Sequence, residues 1–165
     1  MLPVIIDRIG WLKFLKVPVD FGHKLGQETI FGENKTYRGI IVGTIGGILT
    51  AYLQSLIYQY HPSTHALFLF PYTGLGWLYW GFLLGFGALL GDLVKSFFKR
   101  RLHLKNGKPF FPFDQLDFVI GGLLLGAIFY LPPWPQIIVL IVFTPLLHFL
   151  ANALAYLLKL KKVWW

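Results

Sequence analysis

The chain has no cysteine, no long polar linker and few charged residues. Without cysteine, disulfides, thiolate metal sites and cysteine nucleophiles are excluded. Charged side chains make up 13% of the 165 residues, whereas roughly 25% is usual in soluble globular domains. Hydrophobic side chains make up 56% of the chain. The composition therefore predicts a single all-α domain over residues 1–165, embedded in a lipid bilayer as a polytopic bundle of membrane helices.

Long uncharged runs are the candidate membrane spans. A bilayer core of ~30 Å needs about 20 apolar residues of helix to cross it. The apolar runs near residues 40–58, 75–93, 118–131 and 136–158 predict about four transmembrane helices, of which the third is short for a span. These runs are continuously apolar, which favours helices over the alternating strands of a membrane barrel.

The first 17 residues differ from these runs because charged side chains interrupt them. Their apolar residues nevertheless recur at helical spacing: Ile5, Ile9, Leu12 and Leu15. This pattern predicts that residues 1–17 form an amphipathic segment in the membrane interface. The early acidic residue Asp7 and the lack of a small-residue cleavage site argue against a cleaved signal peptide.

All 15 basic residues lie before the first predicted span, between the second and third, or after the fourth. The connections on the other side, residues 59–74 and 132–135, contain none. Because positive charge collects on the cytoplasmic side of membrane proteins, this distribution predicts that both termini and the loop from Lys95 to Phe113 face the cytoplasm at the plasma membrane. Basic residues that flank apolar runs do not indicate nucleic acid as a partner.

Acidic residues also lie on this predicted cytoplasmic side, although the positive-inside rule does not require it. Asp114 and Asp117 are three residues apart, so a helix would carry both carboxylates on one face, within reach of one divalent ion. Asp92 ends the second span at a similar depth. Together with neighbouring cations and a hydroxyl, these carboxylates predict a magnesium and polyphosphate site. The neighbours are Lys95, Ser96, Lys99, Arg100 and Lys105.

A purely structural role is the alternative for the same residues. Asp114 could cap a helix, Asp117 could interact with its positive N-terminus, and Lys99 and Arg100 could anchor the chain at the membrane surface. Ionisable residues at the edge of an apolar span carry a functional presumption, and this favours the site.

A second polar segment precedes the first span. Lys35, Thr36, Arg38 and Gly39 offer cations, a hydroxyl and free backbone N–H groups at the start of a helix, a combination that suits phosphate. The Gly-x-x-x-x-Gly-Lys-Ser/Thr frame of a P-loop is absent. Membrane anchoring by Lys35 and Arg38 is the alternative interpretation.

Several motifs resemble a known family of membrane enzymes. The run Ser96-x-x-Lys99-Arg100, followed by Asp114-x-x-Asp117, is similar to the signature of the CTP-dependent phosphatidate cytidylyltransferases. The small archaeal members, the CDP-archaeol synthases, resemble the chain more closely, at Pro18 to Gly22, Phe31 to Thr36 and Asp114 to Phe118. The resemblance extends from Pro18 to the C-terminus. The family has five spans, and the charged segment before Lys16 stands where its first hydrophobic helix is expected.

This resemblance implies a cytidylyltransferase that joins a lipid phosphate to the cytidylyl group of CTP and releases pyrophosphate. The expected lipid is of the 2,3-di-O-geranylgeranylglyceryl phosphate type, and phosphatidic acid is the alternative. The implied catalytic residues are Asp92, Asp114 and Asp117, which would hold Mg²⁺, together with Lys99 and Arg100. The substrates would contact a second set of residues: Lys35, Thr36, Arg38, Gly39, Lys95, Ser96 and Lys105.

Two other classes of protein fit the sequence less well. CDP-alcohol phosphotransferases carry an Asp-Gly-x-x-Ala-Arg frame, which does not occur here. A small channel or scaffold would carry polar residues along its spans, whereas here the polar residues collect at one interface. The sequence leaves the oligomeric state, including a homodimer, open.

The predicted topology can be tested by cysteine labelling in intact cells, since the chain has no native cysteine. We expect an impermeant maleimide to modify Ser63→Cys, in a connection that lacks basic residues, and to leave Asn106→Cys unmodified. Permeabilised cells are the control, because both cysteines should react there. Preferential labelling of Asn106→Cys in intact cells would contradict the predicted orientation.

Overall fold

The computed structural model describes residues 13–68, 70–104, 110 and 112–157. Within them a short antiparallel hairpin precedes four α-helices. Strands β1 (Lys24–Leu25) and β2 (Glu28–Thr29) form the hairpin. The helices are α1 (Tyr37–Tyr60), α2 (Gly76–Arg101), α3 (Phe113–Gly126) and α4 (Trp134–Leu157). Short 3-10 helices occupy Lys13–Leu15 and Pro62–Leu67.

The all-α membrane architecture predicted from the sequence is confirmed. In the described part of the chain, α1, α2 and α4 are long and apolar enough to cross a membrane. Many of their large apolar side chains are exposed, as lipid-facing residues must be, for example Leu49, Phe82 and Val142. The predicted amphipathic segment at residues 1–17 lies mostly outside the described residues.

Two of the predicted spans end elsewhere in the structure. Helix α3 has 14 residues, which corresponds to ~21 Å and is shorter than a bilayer core. It ends at Gly126, before the predicted limit at residue 131, because a turn and then Pro132 and Pro133 follow. Helix α2 continues past Leu93 to Arg101, so the first part of the predicted cytoplasmic loop is helical and carries its charges on a helix face.

Glycines bring the backbones of neighbouring helices into direct contact. A Cβ atom at Gly47 of α1 would lie 2.8 Å from the Cα of Gly85 in α2. A Cβ atom at Gly121 of α3 would lie 2.8 Å from the Cα of Gly91 in α2. Real Cβ atoms do not approach other atoms so closely, so these contacts require glycine. Small residues play the same part in other closely packed membrane helices.

The contact between α2 and α3 also brings their charged residues together. Gly91 packs directly against the backbone carbonyl of Asp117. Asp92 follows Gly91 in the chain and therefore lies directly beside this contact. The end of the apolar run in α2 is therefore held beside the first turns of α3.

An aromatic cluster packs the opposite end of the bundle. Phe70 stacks on Trp80 with ring centroids 5.2 Å apart and meets Tyr130 edge-on at 5.4 Å. Tyr72 is buried beside them, and its hydroxyl donates to Gln54 Oε1 at 2.6 Å. Such aromatic pairs stabilise beyond the area that they bury. They join the loop before α2 to both α2 and the end of α3.

Adjacent glycines in α3 provide a matched test of this packing. Gly121→Ala places a methyl group against the backbone of Gly87 and Gly91, whereas at Gly122 the nearest atom would be 3.4 Å away, an ordinary contact. We expect Gly121→Ala to lower the free energy of unfolding by about 1–3 kcal/mol and Gly122→Ala to change it by less than about 0.5 kcal/mol. Thermal unfolding in detergent, followed by circular dichroism, measures both. Equal melting temperatures would contradict the packing described here.

Candidate functional site

Charged side chains from three parts of the chain meet where the apolar part of α2 ends. We refer to six of them as the ionic cluster: Asp92, Lys95 and Lys99 of α2, Asp114 and Asp117 of α3, and Lys35 of the loop before α1. The three α2 residues are three and four positions apart, so they share one helix face. The structure therefore brings together all three predicted metal ligands and three of the predicted cations.

Lys95 lies at the centre of the ionic cluster. Its Nζ atom is 3.0 Å from Asp92 Oδ1, 3.2 Å from Asp114 Oδ1 and 2.7 Å from Asp117 Oδ2. The Lys95 side chain is 14% exposed, so water screens these ion pairs only weakly. One ammonium thus links carboxylates of two helices.

The other two lysines pair with the two more exposed carboxylates of the cluster. Lys35 donates to Asp92 Oδ2, which ties the loop before α1 to α2. Lys99 Nζ lies 3.3 Å from Asp114 Oδ2. Within the cluster three positive charges therefore face three negative charges, and partly buried ions of opposite sign compensate one another.

Asp117 is the most buried carboxylate of the cluster, with a side chain that is 5% exposed. Its Oδ2 pairs with Lys95, but its Oδ1 is buried and has no hydrogen-bond partner among the described residues. A buried carboxylate oxygen without a partner is costly. An oxygen donor of this kind suits a hard divalent cation.

The predicted arrangement of three carboxylates around one metal ion differs from the arrangement in the structure. Among the described residues, no three acidic or histidine side chains are placed so that they could hold a metal ion. The physical reason is Lys95, whose ammonium stands between the carboxylates. The residue types still fit Mg²⁺, since all the donors are carboxylate oxygens, but the ammonium would have to leave first.

Asp114 combines the two roles that the sequence left as alternatives. Its Oδ2 accepts a hydrogen bond from the backbone N–H of Phe110 at 2.6 Å, which fixes the chain at the start of α3. The same carboxylate pairs with Lys95 and Lys99. Asp114 therefore both stabilises the start of α3 and belongs to the ionic cluster.

Helix capping and burial fix residues of the segment before α1 that the sequence offered as free phosphate-binding groups. Thr36 is the N-cap of α1, and its Oγ1 accepts a hydrogen bond from the N–H of Gly39 at 3.2 Å. Arg38 lies in the first turn of α1 and is buried. Lys35 of this segment reaches the ionic cluster through its ion pair with Asp92.

Two further predicted site residues, Ser96 and Arg100, are not members of the ionic cluster. The hydroxyl of Ser96 donates to the backbone carbonyl of Asp92 at 2.7 Å and is buried. Arg100 lies against Gly32, and its Nε is buried without a hydrogen-bond partner among the described residues. Lys105 lies outside the described residues.

Two residues that the sequence interpretation did not assign to the site fasten its loop. The carboxylate of Asp20, which is 6% exposed, accepts backbone N–H bonds from Gly22, Phe31 and Gly32 at 3.0, 2.9 and 3.3 Å. These bonds join both ends of the hairpin segment. The signal was present in the sequence, because Asp followed two residues later by Gly is typical of a turn closed by the Asp side chain.

Arg101 attaches the same segment to the end of α2. Its guanidinium donates to the backbone carbonyls of Leu25, Glu28 and Thr29, and it lies over the ring of Phe97 at 5.3 Å from the centroid. Arg101 is thus a structural clamp on the hairpin. Because its acceptors are backbone groups, the sequence carries no pattern that would identify them.

The pKa of Asp20 reflects two opposing effects. Burial raises the pKa of this carboxyl, and the backbone N–H groups of Phe31, Gly22 and Gly32 lower it. The hydrogen bonds prevail, so the pKa lies below its ordinary value of 3.8. Ionised Asp20 therefore contributes to the stability of the folded loop.

Likeness to a solved structure identifies the class of protein. The fold resembles a structure described as an intramembrane enzyme for archaeal membrane lipid biosynthesis, with a TM-score of 0.67 and 30% sequence identity, covering 92% of this chain and 89% of the other. Together with the apolar helices of this chain, the likeness defines a membrane-embedded, multi-pass enzyme.

Sequence relatives identify the family. The family model for CarS-like CDP-archaeol synthases matches residues 2–165. The CDP-archaeol synthase of Pyrobaculum arsenaticum is 37% identical over 163 residues, 98% of this chain and 88% of the relative. The CDP-archaeol synthases of Pyrococcus furiosus and Methanocaldococcus jannaschii are each 40% identical over 149 residues, 90% of this chain and 83% of the relative. The chain therefore belongs to the CDP-archaeol synthase family, and the predicted resemblance is confirmed.

The role of Asp20 predicts a dependence of stability on pH. Because folding lowers its pKa, the stabilisation is fully present above the ordinary value of 3.8 and is lost as the pH falls through the folded pKa. We expect Asp20→Asn to be less stable than the wild type by about 1–2 kcal/mol near neutral pH, and the difference to shrink below about pH 4. Thermal unfolding of both proteins across this range measures it. A difference that stays constant down to about pH 3 would contradict an ionised Asp20 as the stabilising form.

Proposed function

We propose that this chain transfers the cytidylyl group of CTP to the phosphate of an ether-linked isoprenoid lipid, of the 2,3-di-O-geranylgeranylglyceryl phosphate type. The products are a CDP-archaeol-like lipid and pyrophosphate. The observation that carries the proposal is an apolar groove that opens onto the ionic cluster, in a chain of the CDP-archaeol synthase family. The whole chain, residues 1–165, acts as one cytidylyltransferase domain.

The groove lies between α2 and α3 and suits a lipid tail. It has a volume of about 560 Å³, and its walls are almost entirely apolar. Lys95 and Asp117 of the ionic cluster also line it. A lipid chain can lie along the apolar walls while its phosphate meets the charged residues, which is the division of contacts expected for an amphipathic substrate. The apolar side chains of the walls include Leu90, Val94, Phe98, Phe113, Ile120 and Leu124.

The chemistry of the transfer requires cations more than a protein base. An oxygen of the lipid phosphate attacks the α-phosphorus of CTP, a new P–O bond forms, and the bond to the β-phosphate oxygen breaks to release pyrophosphate. A phosphate monoester is already ionised near neutral pH, so no protein nucleophile or general base is needed. Two anions must approach each other, and Lys35, Lys95 and Lys99 can offset their repulsion.

Mg²⁺ is the cofactor that the donor set fits best. Asp92, Asp114 and Asp117 would hold it, and the unpartnered Oδ1 of Asp117 supports this assignment. When bound, a divalent cation supplies charge neutralisation at the phosphates. The protein residues hold and orient the two substrates, and the apolar surroundings exclude water from the reacting groups.

The loop before α1 is the proposed nucleotide-binding segment. Lys35 contacts the cluster, while Thr36, Gly39 and Arg38 set the start of α1 beside it. Arg100 lies against Gly32 of this loop and adds a cation next to the proposed site. Ser96 donates a hydrogen bond to the backbone carbonyl of Asp92 and so helps to position that residue. Lys105 is proposed as a further phosphate contact on the basis of the family signature alone. The distribution of basic residues supports a cytoplasmic site, where CTP is available.

An assay with purified protein tests the function. In detergent with CTP and Mg²⁺, we expect CDP-lipid and pyrophosphate to form from the geranylgeranyl ether lipid phosphate. Diacyl phosphatidic acid is assayed in parallel and distinguishes the bacterial-type alternative. We expect Asp114→Asn and Asp117→Asn each to reduce turnover by at least about a hundredfold, because the amide keeps the shape but loses the charge that binds a cation.

Controls separate this result from a loss of structure. Glu33→Gln removes an exposed carboxylate from the same side of the protein and should leave turnover within about twofold of the wild type. Asn caps a helix about as well as Asp, so a purely structural Asp114 would tolerate Asp114→Asn. Near-native turnover of both Asp variants would end the proposed role of this pair.

A further inference from the structure

Lys95 stands where an ion shared by the three carboxylates of the ionic cluster would stand. Its ammonium contacts one oxygen each of Asp92, Asp114 and Asp117. We propose that Lys95 is a resident counter-ion of these carboxylates, and that a divalent cation displaces it toward the apolar groove. The inference rests on the proposed function, because it assigns an order of events at the same site.

The carboxylates need a counter-ion when no metal is bound. The side chains of Lys95 and Asp117 are 14% and 5% exposed, so salt and water screen the repulsion among the carboxylates only weakly. Lys35 and Lys99 pair with Asp92 and Asp114, whose side chains are 30% and 20% exposed. Lys95 pairs with Asp117 in the interior and so neutralises the charge that solvent reaches least.

The ammonium and a divalent cation cannot share the cluster in its present arrangement. The oxygens of Asp114 and Asp117 surround Nζ at 3.2 and 2.7 Å, whereas Mg²⁺ needs its oxygen ligands at about 2.1 Å. An ion bound by the same oxygens would stand within a few Å of the ammonium, where like charges repel strongly. A divalent ion can therefore occupy these oxygens only as the ammonium moves away.

The displaced ammonium can move toward the groove between α2 and α3. Lys95 already lines the groove between α2 and α3, whose other walls are mainly apolar. A lysine stem is flexible, so Nζ can swing while the helix stays in place. At the mouth of the groove the ammonium is the group that a lipid phosphate would bind. Displacement would therefore prepare the site for the lipid once a cation has entered.

Binding of Mn²⁺ without nucleotide or lipid tests the displacement. The full-length protein in detergent is titrated with Mn²⁺, which accepts the same oxygen ligands as Mg²⁺, and free Mn²⁺ is measured by electron paramagnetic resonance. We expect Lys95→Met to bind Mn²⁺ at least about tenfold more tightly than the wild type, because the competing charge is gone. Lys99→Met is the matched control. It removes a lysine that pairs with Asp114, the more exposed carboxylate of α3, and we expect a change of less than about threefold.

Two other readouts accompany the titration. In EDTA, Lys95→Met should melt at a lower temperature than the wild type, and Mn²⁺ should raise its melting temperature more than that of the wild type. In the wild-type protein, Mn²⁺ should accelerate reductive methylation of Lys95 more than that of Lys99, as read by peptide mass spectrometry. This last measurement does not require any variant to fold.

The outcomes distinguish this inference from the proposed function. Equal Mn²⁺ affinity of the wild type and Lys95→Met, or methylation of Lys95 that does not respond to Mn²⁺, would overturn the displacement even where the wild type makes CDP-lipid. A tenfold gain in affinity in a protein that makes no CDP-lipid would support the displacement and refute the transferase assignment. Absence of Mn²⁺ binding in every variant would overturn the displacement.

Discussion

Charge compensation beside hydrocarbon is the constraint on which the rest of this structure depends. Carboxylates with little access to water are tolerated only when cations are held among them, and Lys35, Lys95 and Lys99 provide that compensation for the three aspartates. The pairing across the two helices requires their backbones to touch. Gly91 and Gly121 allow this contact because neither carries a Cβ atom. The ion pairs of the site therefore depend on the close packing of α2 against α3.

The loop before α1 is stabilised by hydrogen bonds between charged side chains and its backbone. It contains a hairpin of two residues per strand, which is too small to be stable alone. Asp20 closes it from within, and Arg101 fastens it to α2. Lys35 then reaches Asp92 from a backbone that is already fixed. The cluster and the loop stabilise each other, because each supplies charges or anchors that the other lacks.

The sequence predicted the membrane fold and the residues that gather at one end of it, but not their internal arrangement. Spacing indicates that Asp114 and Asp117 share a face, and hydropathy locates the long helices. Neither indicates that Lys95 lies between the carboxylates, because that depends on the distance between two helices and on side-chain rotamers. Asp20 and Arg101 could not be assigned to the site from the sequence, because they bind backbone groups, which every residue supplies. The end of α3 was predicted too far along the chain, because the apolar composition continues past Gly126.

The short α3 explains how a water-soluble and a lipid substrate can meet in so small a protein. Its far end packs against the aromatic cluster, where a Cβ at Gly126 would lie 3.1 Å from the ring of Trp80. Asp117, in the second turn of α3, packs against Gly91, ten residues before the end of α2 at Arg101, or ~15 Å along the helix axis. The ionic cluster extends from this contact to Lys99, in the last turn of α2. Under the proposed function, CTP would approach the cluster from the aqueous end of α2, and the lipid would lie along the groove that Lys95 and Asp117 line.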